Sequence, residues 1–184
     1  YVIRDIEYLD ARYFKTMIGW DAVYYMNTVR TSSNLTRVSF STDTALKSIP
    51  SLYTPNVEEF SFGVGSDSNI TSIPAYNGHS IKKSLRMITG PRFGSNANSV
   101  NRVGGFDGIG ANFDNQYTEY HKLEYNDIPN IEISDIINQF NMLATLGEGI
   151  TASIYLTTEQ NAQINDEQKA IATNKGWTIN VRNS

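Results

Sequence analysis

The chain has 184 residues, 40% of them apolar and only 18% charged, which is the size of one domain with enough apolar material for a buried core. Its net charge of −4 argues against a protein that grips nucleic acid by neutralising phosphates, and its lack of cysteine excludes a disulfide scaffold or a Cys-based zinc site. No apolar run approaches the roughly 20 residues of a membrane-spanning helix, and the Tyr, Asn, Ser and Thr content suits an exterior β-rich protein.

The chain begins at Tyr1, so it is expected to be processed or part of a longer protein. Residues 1–33 are read as an N-terminal strand-containing segment or a truncated repeat. Within it Trp20, Tyr24 and Tyr25 offer a surface on which a sugar ring could stack, although core residues of an edge strand would show the same pattern.

Residues 34–132 carry a repeat. NLTRVSF (34–40) and NVEEFSF (56–62) place Leu35, Val38 and Phe40 against Val57, Phe60 and Phe62, 22 residues apart and in the L-x-x-L-x-L frame of a leucine-rich-repeat strand. LKSIP and ITSIP follow them, with Leu46, Ile49 and Pro50 answering to Ile70, Ile73 and Pro74. One such unit cannot close its own core, so stacking is expected to do so. A third copy begins at SIKKSLRMI (80–88), where Ser84 and Arg86 fall on apolar positions unless the strand slips by one residue. Val100 and Val103 are its candidate returning segment. Gly104–Asn115 then reads as a loop, and Leu123–Ile133 as a further strand-like segment.

Residues 133–184 read as a closing helix–strand–helix–strand unit. The first helix starts at Ser134, carries Ile136, Ile137, Phe140 and Leu143, and is expected to run out at Gly147. Ile154 and Leu156 are the inward residues of the next strand. Asn165 and Gln168 form a capping box for the second helix, and Lys175 and Gly176 supply its terminal cation and left-handed residue. Trp177, Ile179 and Val181 then alternate as a strand does.

The ending INDEQKAIATNKGWTIN (164–180), with its preceding helix and strand, resembles that of leucine-rich-repeat-like surface proteins of gut Bacteroidetes and of tail or other virion proteins of their bacteriophages. The resemblance implies an α/β fold, a short irregular leucine-rich-repeat-like solenoid with a C-terminal cap. It also implies a non-enzymatic extracellular module of a virion or cell surface, used for adhesion, receptor contact or assembly. Its partners would be a protein or glycan receptor or neighbouring virion subunits, with homo-oligomers among the options. The family has no fixed catalytic residues to transfer.

Binding on the repeat strands would fall to their outward residues, with Arg37, Ser39, Glu58, Glu59 and Ser61 as the candidates against a background of ordinary surface polarity. Asp107, Asn112 and Asp114 are candidate calcium ligands by chemistry, but they lack EF-hand spacing and occur once, as a connecting loop would. His79 and His121 have no carboxylate at ligand spacing and read as exposed loop histidines. Lys82 and Lys83 read as a solvated basic face. The other function class is a carbohydrate-active or carbohydrate-binding accessory domain, whose catalysis would need paired carboxylates at productive separation. Glu58 and Glu59 are adjacent and face different ways on a strand.

Overall fold

The computed structural model describes residues 8–10, 37–42, 58–64, 71–84 and 99–182. They form a mixed α/β structure of three helices and small sheets in which every strand pair is parallel. Trp20, Tyr24 and Tyr25 lie outside the described residues.

The first sheet runs β1 (Tyr8–Asp10), β2 (Arg37–Thr42), β3 (Glu59–Val64) and β6 (Lys83–Ser84). Its register sets Val38 beside Phe60 and Phe40 beside Phe62, the same residues that align in the sequence. Phe60 lies beside Ser84, so the third strand keeps its frame and does not slip to Leu85.

Two short ladders follow, β4 (Ser72–Ile73) with β7 (Arg102–Val103) and β5 (Tyr76–Asn77) with β8 (Phe106–Asp107). They pair SIPAYNG (72–78) with RVGGFDG (102–108) position by position. The stretch 104–115, expected to be a loop, thus contributes a strand and three buried side chains, Phe106, Ile109 and Phe113. Its glycines allow close approach as well as turning. A Cβ on Gly104 would collide with the backbone of Pro74 and Ala75, and one on Gly110, at φ 99°, would lie 2.9 Å from the Trp177 ring. Val100 and Val103 are fully buried.

The last sheet has the order β11 (Thr178–Val181), β10 (Ser153–Leu156), β9 (Lys122–Glu124). Leu123, Ile154 and Ile179 form one row across it, with Leu123 and Ile154 fully buried. Each such buried side chain contributes about 1.5–3 kcal/mol from removal of apolar surface. The strand-like expectation for 123–133 holds only at β9, because Tyr125–Asp127 turns into a 3-10 helix that sends Ile128 and Ile131 into the core.

Helix α1 (Ile133–Met142) lies across the end of the two short ladders and satisfies their backbone with side chains. Gln139, fully buried, accepts from Phe106 N–H at 2.7 Å and donates to Phe106 C=O at 3.1 Å, imitating the next strand. One turn earlier, Asp135 accepts from Val103 N–H at 2.8 Å and from Arg102 Nε and Nη2 at 2.9 and 3.0 Å. The helix stops at Met142, short of Gly147, with Leu143 extended at ψ 140°. Its terminal carbonyls are held from outside. Lys175 Nζ donates to the C=O groups of Phe140, Asn141 and Leu143 at 3.0, 2.8 and 2.7 Å. Lys175, expected to complete its own helix, therefore caps a different one, where a cation complements the negative helix end.

Between β10 and the final helix sits an unanticipated short helix, α2 (Thr158–Ala162), started by a Thr157/Gln160 capping box. Gln160 Nε2 also donates to Tyr125 C=O and Ile128 C=O, both at 3.0 Å, tying α2 to the turn after β9. Helix α3 (Asp166–Thr173) has the expected Asn165/Gln168 box, and Gly176 takes φ 89°. Trp177 is buried, and its indole N–H donates to Ala144 C=O at 3.1 Å.

Candidate functional site

Parallel pairing collects the sequence candidates on one sheet. Tyr8, Arg37, Glu59 and Lys83 form one row across β1, β2, β3 and β6, while Asp10, Ser39 and Ser61 form the next. Positions two apart share a face of a strand, so Arg37, Ser39, Glu59 and Ser61 belong to one face, and Val38, Phe40, Phe60 and Phe62 to the other.

Glu58 stands apart from those four. It precedes β3 and is half-buried, and its Oε1 accepts from Lys82 Nζ at 2.6 Å while its C=O accepts from Lys82 N–H at 2.9 Å. The hydrogen bond and the charge of Glu58 raise the Lys82 pKa above the ordinary lysine value. Lys82 and Lys83, expected to be a solvated basic face, stand opposite Glu58 and Glu59 one strand over, and the Lys82 side chain remains partly exposed. Sequence spacing had the signal for this, since both pairs are 24 residues apart, the step of the second repeat.

The calcium candidates do not converge. Asp107 is a register neighbour of Asn77, with Oδ2 4.0 Å from His79 Nδ1. Asn112 Nδ2 donates to His79 C=O at 2.6 Å, and Asp114 caps a 3-10 helix by accepting from Gln116 N–H. Among the described residues no group of three or more His, Asp or Glu side chains is placed to hold a metal ion.

The histidines differ from each other. His79 is exposed, as expected, with Nδ1 3.0 Å from Asp107 C=O. His121 is 1% exposed, contrary to the loop expectation, and lies flat on Phe113 at 4.0 Å. Its Nδ1 is 3.0 Å from Thr151 C=O and its Nε2 3.2 Å from Lys82 C=O, so the ring joins the first sheet to the last where strand pairing lapses. A lone histidine followed by the short strand of β9 carried no sequence signal for that role.

Two further features sequence reasoning missed. A shallow groove of about 310 Å³ lies beside Ser72, Pro74, Arg102, Asp135 and Asn138. Its one cation is bound to Asp135, which raises the Arg102 pKa and leaves the groove without net charge from that pair. On the last sheet, Glu124, Tyr155 and Asn180 share a row, and Arg182 reaches back over it. Its guanidinium carbon sits 3.5 Å above the Tyr155 ring and its Nη1 3.1 Å from Glu124 Oε1.

No protein-family model, curated protein or solved structure matches the chain. Among the described residues no helix is long and apolar enough to cross a membrane.

Proposed function

We propose that the chain is a non-enzymatic binding or structural module, a short leucine-rich-repeat-like stack with a C-terminal closing unit. In this reading it presents the face bearing Arg37, Ser39, Glu59 and Ser61 to a protein or glycan on the exterior of a virion or a bacterial cell. The observation that supports it is the register of β2 on β3, which repeats the 22-residue spacing of the sequence and lines up like positions in rows. Rows of polar residues on a sheet are a surface on which recognition can be built without a cleft. The mixture of charges in the first row suits a partner that is not uniformly charged.

The test is a glycan array together with binding to intact host cells, using the whole chain and the variants Arg37→Ala and Ser61→Tyr. Binding that falls at least about tenfold in both variants, with thermal stability retained, supports the reading. Binding indifferent to both substitutions, or none to any glycan or cell, removes it. Electron microscopy of the native particle or envelope gives the second readout, since the proposal requires copies at fixed exterior positions.

A further inference from the structure

Among the described residues the strand β11 is the outer strand of its sheet, and its chemistry is that of an unfinished edge. Thr178 N–H and Arg182 N–H both bond to the β10 side, to Ala152 C=O and Leu156 C=O at 3.0 and 2.8 Å. Strand alternation therefore turns the N–H and C=O groups of Ile179 and Val181 away from β10. The apolar inner row also runs out here. Val181 is the register partner of fully buried Leu156, yet it is 48% exposed, one of two large exposed apolar residues among those described. Natural edges are guarded by Lys, Pro or a bulge, and Thr178–Val181 has no charge and no proline. The nearest charge, Arg182, is engaged with Glu124 and Tyr155.

We propose that β11 is a self-pairing edge, through which two copies of the chain join antiparallel about a two-fold axis at Asn180. The edge is complementary to itself. Such an axis sets Ile179 of one copy against Val181 of the other, twice, making about four backbone hydrogen bonds. It also continues the inner row, with Leu123, Ile154 and Ile179 of one copy meeting Val181 and Leu156 of its partner. No like charges meet, because Ile179 faces Val181, Asn180 faces Asn180 and Thr178 faces Arg182. Arg37, Ser39, Glu59 and Ser61 take no part, so this proposal and the surface reading fail separately.

Asn180 pairs with its own copy at a non-hydrogen-bonded position, where Cα atoms stand about 4.5 Å apart, within disulfide range. Because the chain has no cysteine, Asn180→Cys in the full chain gives a clean readout. Under mild oxidation it is expected to form a disulfide-linked dimer faster than the exposed control Thr145→Cys, and sedimentation equilibrium of the unaltered chain is expected to show a monomer–dimer equilibrium. Adding Val181→Lys should weaken the dimer by about tenfold or more and abolish the cross-link. A chain that stays monomeric at about 0.5 mM, well above the range of specific association, overturns the proposal. So does a dimer in which Asn180→Cys links no faster than the control. Should Val181→Lys unfold by circular dichroism, the comparison of the two single-cysteine chains decides the matter alone.

Discussion

Gln139 offers the sharpest test of how the two short ladders are finished. Its carboxamide takes the place of a neighbouring strand for Phe106, with both residues fully buried. Gln139→Met keeps the volume and removes the bonds to Phe106 N–H and C=O, the carbonyl keeping only the long 3.5 Å bond from Ile109 N–H. At about 1–3 kcal/mol for a buried group deprived of its partner, the expected loss is about 1–3 kcal/mol. That is a large share of the roughly 5–15 kcal/mol that holds a domain together, and should lower the melting temperature by about 2–4 °C per kcal/mol. Gln139→Glu should cost more, since a buried carboxylate can accept from Phe106 N–H but sets its second oxygen against Phe106 C=O. Denaturant titration gives the magnitude, and hydrogen exchange at the Phe106 amide locates it. A Gln139→Met chain within about 0.5 kcal/mol of the parent, with Phe106 equally protected, would show that the amide is incidental.

Lys175→Met should cost about 1–2 kcal/mol by releasing the three carbonyls at the end of α1, and exchange should rise at amides 140–143, again read by denaturant titration. Gly104→Ala should prise the β4–β5 segment from the β7–β8 segment; a fall in melting temperature without loss of far-ultraviolet helix signal is expected, and no change would contradict the close approach. Glu159, in the first turn of α2, has its pKa lowered by its own backbone N–H and by Thr157. A lowered carboxylate pKa adds stability above the unfolded value and loses it as pH falls through the folded one. Glu159→Gln should therefore be less stable than the parent at neutral pH, and the two melting curves should converge as the pH drops below about 5.

The local signals read true from the sequence. The Asn165/Gln168 box and the left-handed Gly176 depend on residues within four positions of each other, and both stand as expected. The 22-residue offset between two strands also survived, because a side-chain pattern of period two can be compared directly between copies. Two features that differ from expectation had sequence cues. Thr157 and Gln160 form a capping box as plain as that of Asn165 and Gln168, and RVGGFDG aligns with SIPAYNG at a step of 30 residues. Glycine obscured the second, since the residue that marks a loop also permits two backbones to touch.

Of the candidate site, the sequence settled the residue types and the sharing of a face by Arg37 with Ser39 and Glu59 with Ser61. Tertiary structure decided who neighbours whom, setting Glu58 on Lys82, Glu59 beside Lys83, and the acidic residues of 107–114 on separate duties. It alone also sent Asp135, Gln139 and Lys175 to backbone groups more than 30 residues away and buried His121 between two carbonyls. A side chain that bonds to backbone leaves no complementary residue type in the sequence, because every residue has a carbonyl and nearly every one an amide. Only the folded path of the chain selects which is met.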